Sequence, residues 1–174
     1  MDLTKEYFLY LIILLAVQRL MELMVSRHNE TQLKAKGAIE YGESHYKWMV
    51  LLHLGWFVGM ITEFILLKPS IFPFWGSLLT FLLFLQIVRY YVIKSLGEFW
   101  NTKIIVLPGS RPIQSGIYRF VRHPNYWIVR MEILFFPILF KLYITSIIFT
   151  ILNVWLLNVR IEEEEKALAT LSEK

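Results

Sequence analysis

Long apolar runs separated by short polar segments set the pattern of this chain. A bilayer core about 30 Å thick takes roughly 20 apolar residues per helical crossing. Three runs have that length: YFLYLIILLAVQRLMELMV (7–25), WMVLLHLGWFVGMITEFILL (48–67) and IFPFWGSLLTFLLFLQIVRYYVI (71–93). A fourth apolar region, Trp127 to Val159, is too long for one crossing and short for two. Pro137 and the Lys141–Leu142–Tyr143 step divide it into 127–140 and 144–159, a tight helical hairpin that is shallow on one side. The pattern predicts an all-α integral membrane protein, a single domain over 1–174 with about five transmembrane helices. Gly55 and Gly59 form a GxxxG in the second run, a helix-packing signal of low specificity.

Two polar segments, 26–47 and 94–126, and a tail, 160–174, lie outside these runs. In the longer loop, KIIVL reads as a short strand and PGSRP as a turn, with IQSGIY as a return strand or the start of a helix. With the N-terminus outside, twelve basic residues fall on the cytoplasmic side, from Arg27 through Lys174, against three outside, Lys5, Lys68 and Lys141. That bias places the long loop and the tail in the cytoplasm. Acidic Asp2 and Glu6 precede the first run and no small-residue cleavage site follows it, so the run reads as a retained helix and not a signal peptide.

Composition narrows the classes. The chain is 56% hydrophobic and 16% aromatic, with a mean hydropathy of +0.51, more apolar volume than a soluble domain of this size encloses. A net charge of +4 would suit nucleic acid, but the basic residues cluster in alternate loops, which marks membrane orientation instead. With no cysteine, disulfides, thiolate catalysis and Cys-ligated metals are excluded. His28, His45, His53 and His123 form no HxxxH or HxxEH arrangement, so no metal site is expected.

Polar residues inside the runs are costly in lipid: Gln18, Arg19 and Glu22, then His53 and Glu63, Arg89, and Arg130 with Glu132. Arg19, Glu22 and Arg89 lie near the cytoplasmic ends of their runs, where snorkelling to the headgroups accounts for them. Glu132 sits closer to the densest polar stretch and can line a cavity.

That stretch is SGIYRFVRHPNYWIV, Ser115 to Val129. His123 is biased towards an extended backbone by the proline after it, and Pro124 suits the first turn of a helix. The free amides of that helix start, beside Arg122 and His123, make a small positive pocket able to take a carboxylate or phosphate. The same residues suit an interfacial anchor, with arginines on headgroups and Tyr126 and Trp127 in the aromatic belt. The residues alone leave both open. In NVRIEEEEKAL (158–168), Arg160 and Glu164 share a helix face, and taken alone this is best read as a solvated surface pair.

The two stretches together carry a resemblance. Gly116 with Tyr118, then Arg122–Pro124 with Tyr126, then after a hairpin Arg160 with Glu164, resemble the isoprenylcysteine carboxyl methyltransferase family, whose relatives include phospholipid methyltransferases. The likeness covers about Lys94 to Leu168, and is closest to the family's bacterial branch. It implies a membrane-embedded O-methyltransferase that uses S-adenosylmethionine, in a bacterial cell membrane with its site facing the cytoplasm. It implies a cofactor set of Lys103, Ser110, Arg111, Pro112, Ile113, Tyr118, His123, Pro124, Asn125, Tyr126 and Glu164. Arg160 is the implied substrate residue, and Arg160 and Glu164 the implied catalytic pair. The GxG loop of soluble Rossmann methyltransferases is absent, which fits a different cofactor pocket.

The implied partners are membrane lipids and a lipophilic small-molecule acceptor, a lipidic polyketide such as an alkylpyrone, or a prenyl-type carboxylate, and no nucleic acid. N-methylation of a phospholipid is disfavoured, because a neutral amine would need a base near Arg160. Membrane sterol-type reductases that use NADPH also carry an RHPNY-like segment, in longer chains with a different ending. A non-enzymatic helical scaffold using the GxxxG face is the other alternative.

Overall fold

The computed structural model describes residues 3–169 and Leu171; Asp2 and Lys174, used above for the signal-peptide and charge readings, lie outside the described residues. Five helices form the chain: α1 (Leu3–Ala35), α2 (Glu43–Leu67), α3 (Trp75–Leu96), α4 (Pro124–Ile138) and α5 (Tyr143–Ala169). Two three-residue strands, β1 (Ile39–Tyr41) and β2 (Ile104–Val106), pair antiparallel, with Ile39 opposite Val106 and Tyr41 opposite Ile104.

α1, α2, α3 and α5 are long and apolar enough to cross a membrane. Only 17% of the apolar window in α1 and 33% of that in α5 lie buried, so most of their apolar surface needs lipid. The chain is an integral membrane protein. The fifth crossing is corrected: α4 has 15 residues, a rise of about 22 Å, short of a bilayer core of about 30 Å. Pro137 lies in its last turn, and Lys141, at φ 53°, turns the chain directly into α5. Leu142 N donates to the Pro137 carbonyl at 3.0 Å, closing the hairpin.

α5 packs against both α4 and α2, and α4 against α3. Gly55 and Gly59 let α2 approach α5 closely: a Cβ at Gly59 would lie 3.0 Å from the Phe149 ring and 3.3 Å from Thr145. The GxxxG face is therefore covered within the chain, which removes the surface that a scaffold reading would use. Glu63 of α2 accepts hydrogen bonds from the Ile144 and Thr145 amides at 3.1 and 2.8 Å, capping the start of α5. Trp56, Met60, Ile133, Phe140, Leu142 and Leu157 fill the core between these helices.

Snorkelling is also overturned. Arg19, Glu22, Arg89 and Glu132 turn inward and join α1, α3 and α4. Arg19 bonds Glu22 at 2.6 Å and also pairs with Glu132; Arg89 bonds Glu22 at 3.1 Å and also pairs with Glu132. Gln86 donates to Glu132, and Gln18 donates to Glu22 at 2.9 Å. Arg89 and Glu132 are buried. Two positive and two negative charges cancel, the arrangement an apolar medium tolerates. Glu132 is held by this cluster.

The long loop differs from its reading in one respect. β2 forms where KIIVL predicts a strand, but its partner is β1, from the 26–47 segment, and Gly116–Arg119 is a 3-10 turn. α1 continues three turns past its apolar run, and its polar face holds the loop. Asn29 donates to the Gly97 and Trp100 carbonyls at 3.1 and 2.8 Å, and Ser26 Oγ accepts from the Thr102 amide at 2.9 Å.

Candidate active site

At the polar end of the bundle a cavity of about 1110 Å³ lies between the loop after β2, the start of α4 and the end of α5. α5 runs to Ala169, well beyond its apolar part. Its last turns are pinned because Ala167, Leu168 and Leu171 pack on Ile104, Val106 and Tyr41. This small second core fixes Glu164 over the loop.

Tyr126, in the first turn of α4, joins the two motifs. Arg160 Nε donates to its hydroxyl at 2.8 Å, and the hydroxyl in turn donates to Glu164. The Arg160 guanidinium lies 5.6 Å from the Tyr126 ring centroid. No direct Arg160–Glu164 ion pair forms among the described residues; the phenol stands between them. Arg160 is 6% exposed, so the surface-pair reading of 158–168 fails for it. The His123 ring stacks on Tyr126 at 5.5 Å and 18°, and its nitrogens reach Glu165 at 3.4 Å and Glu164 at 3.8 Å.

Tyr118 also faces the cavity, and burial, with the Glu164 carboxylate nearby, pushes its phenol above the ordinary value. Ser110 and Ile113 line the wall and Arg111 and Pro112 the exposed rim. Asn125 lines it too, and its Oδ1 is buried with no hydrogen-bond partner. Pro124 is buried and lines no part of the cavity; it starts α4. Lys103 reaches the wall, but its ammonium is paired with Glu30 at 2.8 Å and Glu40 at 3.0 Å. The hydrogen bond to Glu30 is the chief reason its pKa is raised, against the opposing effect of burial. Lys34 bridges the same two carboxylates at 2.6 Å each, so the four side chains strap α1 to both strands.

The residues brought together are thus one set from the loop, one from the start of α4 and one from the end of α5. The family model for isoprenylcysteine carboxyl methyltransferases (ICMT) matches residues 78–170. The chain belongs to this family. The matched region begins inside α3 and takes in all of the cavity wall but Leu171, whereas α1, α2 and β1, which brace it, lie outside. Among similar proteins, a Bacillus subtilis (strain 168) protein named "Uncharacterized protein YpbQ" is 44% identical over 167 residues, 96% of this chain and 99% of that one. An uncharacterized protein of Haemophilus influenzae is 30% identical over 157 residues, covering 90% and 91% of the two chains. No solved structure matches.

Sequence reading missed the supports of this ICMT site. Ser26, Asn29 and Glu30 keep helical spacing beyond the apolar run of α1, which was the available signal. His45 and Tyr46, at the start of α2, lie close enough to Arg160 to couple to it electrostatically, and nothing in their sequence context marks them.

Proposed function

We propose that the protein is an S-adenosylmethionine-dependent O-methyltransferase acting on a lipophilic, membrane-partitioned acceptor. A small lipidic polyketide such as an alkylpyrone is the preferred acceptor, and a prenyl-type carboxylate the other. The observation that carries this reading is the Tyr126 hydroxyl shared between buried Arg160 and Glu164 at the cavity wall. It links a cation suited to an acceptor oxygen with a carboxylate suited to a cationic cofactor.

The residues fit the cofactor. Asn125 Oδ1 offers an unpaired acceptor for an N–H donor such as an adenine amino group. The Glu164 carboxylate, with the stacked His123 and Tyr126 rings beside it, suits a positive centre. The cavity is of the size that encloses small-molecule ligands. When bound, S-adenosylmethionine supplies a sulfonium-activated methyl group.

Transfer of such a methyl group to an anionic oxygen cancels opposite charges, and water favours the separated charges over the transition state. A site with fixed dipoles in place of water therefore helps. Arg160, held by Tyr126, orients the acceptor oxygen; Glu164, Tyr126 and His123 hold the cofactor. Alignment of this kind contributes about 7–11 kcal/mol in well-oriented systems. An acidic hydroxyl or carboxylate ionises with little help, so no strong catalytic base is required. The positive-inside bias supports a cofactor entrance facing the cytoplasm, and the short α4 supports lateral entry of the acceptor from lipid.

Membranes containing the protein, labelled S-adenosylmethionine and a host lipid extract form the direct test, with the labelled product identified by mass. Incorporation should fall to background in Arg160→Ala and Glu164→Ala. Wild-type incorporation in either variant overturns the roles given to it.

A further inference from the structure

On the outer side of the α4–α5 hairpin, Arg130 is a half-buried cation that the proposed reaction leaves unused. Its Nη2 donates to Asn158 Oδ1 on α5 at 3.0 Å, and its guanidinium lies 5.5 Å from the Trp127 ring centroid. Its Nε is buried with no hydrogen-bond partner. Among the described residues no carboxylate pairs with it. Glu132, two positions on, is held by Arg19 and Arg89, and Glu162, one turn beyond Asn158, acts on Lys166. Trp127, Asn158 and Trp155 are exposed, so this side of the hairpin faces lipid.

Depth makes that charge costly. Arg130 stands six residues, about 9 Å, inside the start of α4 at Pro124, and Asn158 two residues, about 3 Å, below Arg160. Because α4 rises only about 22 Å against a core of about 30 Å, the bilayer thins beside the hairpin or the hairpin's polar end lies sunk in it. Side chains lean towards the N-terminus of their own helix, which lifts the Arg130 guanidinium towards the polar end. A cation at that level needs an anion beside it, and the bilayer's own anions are lipid phosphates. The two indoles flank the place: Trp127 is three residues before Arg130, and Trp155 three before Asn158. Indoles settle where headgroups meet acyl chains.

We propose that Arg130 and Asn158, between Trp127 and Trp155, bind the phosphate of one anionic phospholipid from the leaflet at the polar end. Arg130 keeps N–H groups beyond the one given to Asn158, in a planar fork that fits two phosphate oxygens. Asn158 accepts from Arg130 through its oxygen, which leaves its amide nitrogen to donate to the headgroup. The indoles pack on the glycerol and the upper acyl chains. A zwitterionic lipid brings a cation along with its phosphate, so a headgroup of net negative charge neutralises Arg130 better. Once bound, the lipid joins α4 to α5 about one turn beneath the Tyr126–Arg160 bond. The inference goes beyond the methyl-transfer reading and does not depend on it.

The test titrates the full chain in dodecylmaltoside micelles with dioleoylphosphatidylglycerol or dioleoylphosphatidylcholine, which share their chains and differ in headgroup, and reads the lipid retained by native mass spectrometry. The wild type should bind the phosphatidylglycerol at least about tenfold more tightly. Arg130→Gln should erase that preference, whereas Arg27→Gln, at an exposed arginine of α1 near the same end, should keep it. Equal affinity for the two lipids overturns the proposal and leaves Arg130 a snorkelling side chain. A preference that survives in Arg130→Gln, or that Arg27→Gln removes as fully, also overturns it. Release of the lipid by millimolar inorganic phosphate would mark a site for soluble anions and overturn the lipid assignment. If Arg130→Gln does not fold, Asn158→Leu decides: the preference should fall at least about threefold, and an unchanged preference overturns the proposal.

Discussion

Arg160 Nε donates to the Tyr126 hydroxyl at 2.8 Å, joining the end of α5 to the first turn of α4. One oxygen atom thereby holds the cavity's two helical walls in register, because it also donates to Glu164. Tyr126→Phe removes that atom and little else. A buried guanidinium left without its acceptor costs about 1–3 kcal/mol. S-adenosylmethionine affinity, measured by calorimetry, should fall about tenfold or more, and methyl transfer further still.

Glu132 holds Arg19 and Arg89 together inside the bundle. Glu132→Gln keeps the shape and removes the charge, leaving two guanidiniums against one carboxylate, Glu22. Breaking a buried pair from one side costs about 3–5 kcal/mol. The thermal midpoint in detergent should drop by many degrees, and added salt should not restore it, since buried pairs are poorly screened. An unchanged midpoint would show that the cluster is not what joins α1, α3 and α4.

The contrast between these two sites explains what the sequence disclosed. Arg122–Pro124, Tyr126, Arg160 and Glu164 were legible because residue type and spacing are themselves the signal; α1, α2 and α3 were legible from apolar length alone, and α5 once Pro137 and Lys141 divided the last apolar region. Arg19, Glu22 and Arg89 were misjudged because spacing along one helix carries no information about a partner on another. α4 was legible in extent, 127–140 against the observed Pro124–Ile138, but was counted as a crossing although 15 residues rise only about 22 Å. β1 was missed because three residues carry too little alternation to show a strand; its pairing with β2 depends on the strap of Lys34 and Lys103 with Glu30 and Glu40.

That strap has a pH signature. The Lys103 pKa is raised in the folded state, so its contribution is fully present below the unfolded value near 10.5 and is lost as pH rises through the higher folded value. The Glu40 carboxylate, in spite of burial, is held below its ordinary value by Lys34 and then Lys103; its contribution is present above 4.5 and lost as pH falls through the lower folded value. Protection of the β2 amides against hydrogen exchange should hold level between these limits, after correction for intrinsic rates, and weaken outside both. Lys103→Met should weaken it at neutral pH while changing S-adenosylmethionine affinity less than about threefold, because the ammonium is already paired.

Glu63 provides a way to separate the stability of α5 from the chemistry at its far end. Its carboxylate accepts from two amides at the helix start, where Glu63→Ala would leave those donors buried beside apolar neighbours. Loss of such a cap costs about 0.5–2 kcal/mol, felt as a lower thermal midpoint. The cap stands at Ile144 and Thr145, whereas Arg160 lies about 22 Å further along the same helix. Between them α5 is clamped by α2 at Gly55 and Gly59 and by α4 at Tyr126, so loosening one end need not shift the other. Folded Glu63→Ala protein should keep wild-type S-adenosylmethionine affinity at a temperature well below its midpoint. A loss of affinity under those conditions would mean that the hairpin transmits the position of α5 to the cavity, and that its two helices move as one unit.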